Sequence, residues 1–252
     1  VIQLLKEQAI LHGDIQFIFT AGEEVGLLGA KALDRHQLIA GFGYVLDGEG
    51  PVGHIIHQSP SEHHLEIITT LPNNTPMSTL AIAKQVLKSL NLGKDSEKNI
   101  SFQQYRVEAS EEKTTVMFDV SVKARSQFIV KKLIQQLHER LTKTVSKLGA
   151  KLTIHDRMLY PEIISNEQAE HVQLAKAAAQ QLGIHSPCLT ATSGDDANII
   201  HNLGIPTVTL TVGFDKIHTT AEYIRTADMV TLVQWLLHII MLHTKAERKD
   251  ML

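Results

Sequence analysis

Two adjacent carboxylates, Glu23 and Glu24, follow a segment with the composition of a buried strand. That segment, Asp14–Thr20, is rich in β-branched and aromatic residues, and a glycine-punctuated helix over Gly26–Asp34 is expected after the pair. Neighbouring carboxylates repel each other unless a cation or a proton separates them. The pair therefore indicates either a metal ligand beside a general base or an acidic first helical turn that the helix dipole stabilises.

Two further polar residues follow predicted strands later in the chain. Asp47 comes directly after the strand Tyr44–Leu46 and is either a hard-oxygen metal ligand or an ordinary turn former. His218 lies in a polar turn after the strand Thr207–Leu210, although one histidine among 14 is a weak signal by itself. Open α/β sheets bind ligands at the carboxyl ends of their strands. We therefore expect both residues to converge with the Glu23–Glu24 pair at one edge of the sheet.

The elements that must position these residues alternate between helix and strand at both ends of the chain. The ends add a helix over Val1–Leu11, a helix over Glu167–Leu182, a strand over Cys188–Ala191, and helices over Asp196–Leu203 and Thr226–His243. Between them the order is β-α-β-β-α-β: His64–Thr70, Met77–Leu90, Ser101–Glu108, Thr114–Ala124, Gln127–Leu148 and Lys151–His155. Two helices on one face of such a sheet form a ferredoxin-like unit. The sequence thus predicts an α/β domain, residues 1–59 and 165–252, with an inserted ferredoxin-like domain, residues 60–164.

Composition and charge narrow the class of protein. The chain has 24 Lys and Arg against 27 Asp and Glu, a formal charge of −3, with both signs interspersed, which disfavours nucleic-acid and membrane-surface binding. The single cysteine, Cys188, excludes an internal disulfide framework and suits a cytoplasmic location. The apolar run Val233–Leu242 is about half the ~20 residues that a membrane span needs. We expect a soluble protein, and a chain that starts inside a helix without Met predicts that an upstream part is missing.

Three stretches of sequence carry a resemblance to a known family. They are DIQFIFTAGEEVGLLGAKAL (Asp14–Leu33), SGDDANIIHNLGIPTVTLTVGFDKIHTTAEYI (Ser193–Ile224) and the weaker KARS (Lys123–Ser126). In these motifs and in their order, the chain resembles the co-catalytic zinc metallopeptidase superfamily, and its peptidase T-like branch above all. The resemblance implies a zinc-exopeptidase-like α/β/α catalytic domain with an inserted ferredoxin-like lid through which two copies form a homodimer.

The resemblance also implies a role for each residue at the sheet edge. Glu23 would be the general base that takes a proton from the attacking water. Glu24 and His218 would ligate one zinc ion, and Asp47 would ligate a second. A zinc pair lowers the pKa of water and polarises the scissile carbonyl, so the implied activity is aminopeptidase-like hydrolysis of short peptides.

Three more residues are implied to bind substrate. The Ser193–Gly194 turn would line the cleft with backbone N–H groups. Arg125, in the insert, would pair with a substrate carboxylate, for which its planar guanidinium is suited. From the residue alone, a solvated arginine at a strand end is an equally good interpretation of Arg125.

The chain departs from the family in two places, which keeps alternatives open. The family's upstream His-x-Asp motif, which supplies one zinc ligand and a bridging carboxylate, has no match; His12-Gly13-Asp14 spells the pattern but lies in a helix-to-strand turn. This 252-residue chain is therefore expected to bind zinc weakly and to be inactive. The insert lacks the family's histidine in TTLPNNTPMS and its asparagine in EEKTTVMFDV. The alternatives are a catalytically impaired, dimeric binding module and a deacylase of N-acyl amino acids.

Overall fold

A computed structural model of the chain describes residues 1–72, 79–90, 92–94 and 98–250. Its helices are α1 (Ile2–Glu7), α2 (Leu28–Lys31), α3 (Thr79–Leu90), α4 (Gln127–Lys147), α5 (Glu170–Gln181), α6 (Asp196–Asn202) and α7 (Thr226–Asp250), with a 3-10 turn at Arg35–Gln37. Its strands are β1 (Gly43–Glu49), β2 (Ile55–Ser59), β3 (Ser61–Pro72), β4 (Gly93–Lys94), β5 (Lys98–Ala109), β6 (Lys113–Ala124), β7 (Lys151–Tyr160), β8 (Ile163–Ile164), β9 (Cys188–Thr190), β10 (Thr207–Asp215) and β11 (Tyr223–Ile224). The first two positions of the helix expected over Met77–Leu90 lie outside the described residues.

The chain divides into two compact units. The core unit consists of Val1–Ser59 and Ile163–Leu252, and the insert unit consists of Pro60–Glu162. The expected insert ended at residue 164, but Ile163 and Ile164 form β8 and pair with β2 of the core unit. The pairing of their backbones with β2 assigns these two residues to the core unit. The alternation of side chains along the sequence does not reveal this pairing.

The core unit contains a mixed sheet with strand order β1-β10-β2-β8. β11 pairs with β10 in antiparallel orientation, and β9 pairs with β2. β1 and β10 are parallel, whereas β10 and β2 are antiparallel. Val208 and Leu210 of β10 are buried in one apolar cluster with Val172 of α5 and Trp235 of α7. The indole N–H of Trp235 donates to the Ala175 carbonyl at 2.9 Å, which fixes α7 against α5.

The opposite face of the same sheet carries the hydroxyl side chains of β10. Thr207, Thr209 and Thr211 alternate with the apolar residues of the strand and are buried. The Thr209 hydroxyl donates to Asp195, the N-cap residue of α6, at 2.6 Å. Helices therefore contact both faces of the sheet, as the predicted α/β class requires.

The insert unit has the element order β-α-β-β-α-β, with the two-residue strand β4 added before β5. Its antiparallel sheet has strand order β4-β5-β6-β3-β7. Side chains of β3 alternate, and Leu65, Ile67 and Leu71 are buried together with Val86 of α3 and Leu137 of α4. Burial of these apolar side chains against two amphipathic helices stabilises the unit.

The strand expected over Asp14–Thr20 is wrong for this structure. Residues 10–22 form neither a helix nor a strand, and Phe19 is 89% exposed. A strand needs hydrogen-bonding partners on a neighbour, and no described strand pairs with this segment. The helix expected over Gly26–Asp34 is likewise shortened to α2, followed by the 3-10 turn.

Helix α7 is longer than the apolar run from which the absence of a membrane span was predicted. By length and composition alone, Thr226–Lys245 is long and apolar enough to cross a membrane. Within the core unit, its residues Trp235 and Ile239 are buried against α5 and the sheet, while Met229 and Val230 are exposed.

Candidate active site

The loop that carries Glu23 and Glu24 is a tight turn closed by backbone hydrogen bonds. The N–H of Gly26 donates to the Glu23 carbonyl at 3.0 Å. Gly29 packs so closely on the preceding segment that a Cβ at position 29 would lie 2.5 Å from the backbone nitrogen of Ala21. Backbone atoms cannot yield as a flexible side chain can, so only glycine fits there. The glycine spacing of the motif thus folds the turn that presents both carboxylates.

His218 meets Glu24 although the two residues are far apart in the sequence. It lies between β10 and β11 with its backbone in the left-handed region, at φ 58°, and its N–H donates to the Glu222 carboxylate at 3.1 Å. The His218 Nε2 is 3.5 Å from the Glu24 Oε1. Both side chains are largely exposed, so the contact contributes little to stability. What it provides is a nitrogen and an oxygen donor side by side.

Asp47 occupies a β-bulge rather than the position after a strand. Leu46 lies opposite Leu210 and Gly48 opposite Thr211, so Asp47 is the extra residue of β1 against β10. A bulge turns one side chain out of the regular ladder, and such bulges occur next to active sites. Gly48 is required because a Cβ there would lie 2.8 Å from the Thr211 Cα.

Two aspartates that sequence analysis did not single out lie in the same region. Asp195 caps α6 and accepts hydrogen bonds from the Ala197 N–H at 2.8 Å and from Thr209. Asp196 accepts the Thr20 hydroxyl at 2.5 Å through Oδ2, while its Oδ1 is buried without a hydrogen-bond partner in the described part of the chain. An adjacent acidic pair after a predicted strand, the feature that marked the glutamates, was the signal that could have found them.

Repulsion among carboxylates dominates the electrostatics of the site. The acidic cluster comprises Glu23, Glu24, Asp47, Asp195 and Asp196. Partial burial raises the pKa of Glu23, and the neighbouring members of the cluster raise it further, while His218 opposes the shift. Loss of hydration and the other four members of the cluster raise the pKa of Asp47 to about 7, although part of this side chain reaches solvent. Glu23 thus interacts electrostatically with Glu24, Asp47 and His218, and Glu24 and His218 are in contact.

The side chains of the site are of the types that bind a metal cation, but too few of them lie together to complete a metal site. Glu24 and His218 offer the oxygen and nitrogen ligands that zinc takes, and an acidic cluster attracts positive charge. Among the described residues, no three His, Cys, Asp or Glu side chains lie close enough to share an ion. A catalytic zinc generally needs three protein ligands and a water, so these residues supply only part of a metal centre.

The residues implied to bind substrate are divided between the two units. Ser193 and Gly194 lie in the loop before α6, directly ahead of Asp195. Arg125 is exposed in the turn between β6 and α4, and makes no hydrogen bond or ion pair with any residue in the described ranges. Its side chain is therefore available to a ligand, and its role stays a prediction.

Comparison with known proteins defines the class. The model of peptidase family M20/M25/M40 matches residues 1–242, and the chain belongs to this family. The resemblance inferred from the motifs is thereby confirmed. The uncharacterized protein YqjE of Bacillus subtilis (strain 168) is 33% identical over 252 residues, which cover 92% of this chain and 67% of the relative.

Peptidases T are among its relatives in sequence and in structure. Peptidase T of Fusobacterium nucleatum subsp. nucleatum is 23% identical, and the match covers 97% of this chain and 62% of the relative. The crystal structure of aminopeptidase PepT from Bacillus cereus ATCC 10987 is similar with a TM-score of 0.85 and 31% identity, covering 95% of this chain and 67% of that chain. This chain therefore spans about three fifths of the length of the F. nucleatum peptidase T.

Proposed function

We propose that this chain forms the larger part of a metal-dependent aminopeptidase of the peptidase T type, which hydrolyses short peptides. The observation that carries the proposal is the Glu24–His218 contact of 3.5 Å beside the acidic cluster. Membership of the peptidase family and similarity to aminopeptidase PepT support the reaction class. The remaining metal donors are proposed to come from residues outside these 252.

Each residue of the site has a proposed part in the reaction. Glu24 and His218 would hold one divalent cation and Asp47 would hold a second, with zinc proposed as the metal. A divalent pair supplies Lewis acidity toward the scissile carbonyl. Glu23 would accept the proton of the attacking water and pass it to the leaving amine, which is the task of a general base.

The proposal also covers how the substrate is bound, whether the protein forms a dimer, and where in the cell it is located. The Ser193–Gly194 loop donates backbone N–H groups to the substrate, and Arg125 pairs with its carboxylate. The insert unit is proposed to form a homodimer, and the single free Cys188 supports a cytoplasmic location. Sedimentation of the purified protein and fractionation of the source cells test these two points.

The activity is tested on the full-length gene product with tripeptides and N-acyl amino acids as substrates. Glu23→Gln should lower kcat by about 10²–10⁴-fold at unchanged metal content, because it removes the proton acceptor and no metal donor. His218→Ala should lower the metal content itself. Full activity of the Glu23→Gln variant would contradict the assignment of the base.

A second experiment tests the incomplete metal centre on the 252-residue chain. Calorimetric titration with zinc should show binding weaker than about 1 μM, since no complete set of donors is present. Stoichiometric sub-micromolar binding that disappears in His218→Ala would show that the chain holds a complete site.

A binding module without catalysis is the second candidate. The observation that favours it is the absence of histidine from the insert segment TTLPNNTPMS and the absence of asparagine from the insert segment EEKTTVMFDV. Residues 73–78 of the first segment lie outside the described residues. A full-length protein that is loaded with metal, binds peptides and hydrolyses none of them would support this candidate. Selective hydrolysis of N-acyl amino acids would instead support a deacylase.

A further inference from the structure

A groove between α3 and α4 of the insert unit carries a concentration of positive charge. It has a volume of about 450 Å³ and is lined by Lys88, Ser89, Arg140, Lys143, Thr144 and Lys147. Among the described residues that line it, four of six are cations and none is a carboxylate. We call it the basic groove. The even mixture of charges along the sequence gives no sign of it, because the cations come from two separate helices.

The helix dipole explains the positions of only two of these four cations. Lys88 lies in the last turn of α3 and Lys147 in the last turn of α4, where a cation favours the negative end of a helix. Arg140 and Lys143 precede the last turn of α4. No carboxylate of the described residues lies within ion-pair distance of any of the four cations. Within the described ranges, four like charges thus stand together with no ion pair to offset them.

Arg140 has hydrogen-bonding capacity that the protein leaves unused. Its Nη2 donates to the Leu90 carbonyl at 3.4 Å, and its Nε is buried with no acceptor among the described residues. A buried donor without a partner costs free energy, so the Arg140 guanidinium is not fully satisfied by the described residues. Beside it, the hydroxyls of Ser89 and Thr144 are in contact at 2.8 Å and add two polar groups.

We propose that the basic groove binds an anion with several linked phosphate groups. The guanidinium fork and the lysine ammonium groups are the side chains that recognise phosphate oxygens. Arg140, Lys143 and Lys147 follow one side of α4 over about 10 Å at ~1.5 Å per residue, so a linear row of phosphates can meet successive cations. A groove of this size holds a small molecule rather than a folded partner. The proposal does not depend on the peptidase activity.

Calorimetric titration of the 252-residue chain with inorganic tripolyphosphate tests the proposal. Binding tighter than about 1 mM, weakening as salt rises, is expected. Lys143→Gln/Lys147→Gln should weaken binding about tenfold. The matched control is Lys131→Gln/Lys151→Gln, which removes the same charge from exposed positions of the insert unit outside the groove and should change binding less than about twofold.

The outcomes of these titrations distinguish the interpretations. No binding of tripolyphosphate, or equal weakening by both double variants, would overturn the proposal, the latter because only net charge would then matter. Because both variant pairs alter exposed lysines, folding is retained, and circular dichroism checks this. Equal binding of a nucleoside triphosphate and tripolyphosphate assigns recognition to the phosphates alone; tighter binding of the nucleotide adds its base and sugar to the ligand. Binding of RNA or an acidic peptide with no binding of either phosphate compound would refute the assignment.

Discussion

Gly48→Ala tests whether the bulge that presents Asp47 depends on close contact between β1 and β10. An added Cβ would lie 2.8 Å from the Thr211 Cα and 2.9 Å from the Leu210 carbonyl oxygen, and both are backbone atoms of β10. The neighbouring strand cannot turn these atoms aside as it could a side chain. The two strands must therefore separate at the point where Asp47 leaves the ladder.

The magnitude follows from the size of the overlap. Ordinary contacts of a Cβ begin at 3.4 Å, so the 2.8 Å contact is 0.6 Å too short. Forcing extra volume into a packed region costs about 1–3 kcal/mol. We expect Gly48→Ala to lower the free energy of unfolding of the core unit by about this amount. Gly41→Ala is the control, because a Cβ there meets nothing within 4 Å, and its effect should be neutral or slightly stabilising.

Urea unfolding followed by tryptophan fluorescence is the assay. Trp235 is the single tryptophan of the chain and is fully buried in the core unit, so its emission reports unfolding of that unit. The midpoint should fall in Gly48→Ala with an unchanged slope. If the two alanine variants agree within about 0.5 kcal/mol, the strands have tolerated the overlap and our account of the bulge is wrong.

Three further predictions concern charges and hydrogen bonds of the site. His218→Ala should change stability by less than about 0.5 kcal/mol in a urea titration, because its contact with Glu24 is exposed, and a larger loss would show a structural role for the pair. Since the pKa of Asp47 is raised to about 7 from 3.8, folding favours its protonated form, and stability should fall as pH rises from about 4 to 8. Thermal unfolding across that range should show a flatter profile in Asp47→Asn, and identical profiles would contradict the assignment. Asp195→Ala removes the N-cap of α6 and the acceptor of the Thr209 hydroxyl, which should lower the free energy of unfolding by about 1–3 kcal/mol. Asp195→Asn should lower it less, because an amide oxygen can still accept the hydrogen bond of the cap. Equal losses of stability in calorimetric melting would exclude the capping role.

Local patterns determined most of the elements and the types of residue at the site. The sequence predicted strands over His64–Thr70 and Thr114–Ala124 and a long amphipathic helix over Gln127–Leu148, and β3, β6 and α4 lie at these positions. The apolar side of the helix records which face must be buried. The positions of Glu23, Glu24, Asp47 and His218 after predicted strands marked them as candidates, and the family resemblance implied a role for each. These features depend on neighbours in sequence, and the sequence therefore displays them.

Pairing and proximity were decided only in three dimensions. Asp14–Thr20 has the composition of a strand but forms none, because a strand exists only where another offers it hydrogen bonds. The bulge at Asp47 depends on the register between β1 and β10, which no local pattern records. Asp195 and Asp196 join the site because α6 begins beside β10, and the cations of the basic groove meet because α3 packs on α4. In each case the deciding contact joins residues that are distant in the chain. Such a contact contributes to stability only once the fold has formed.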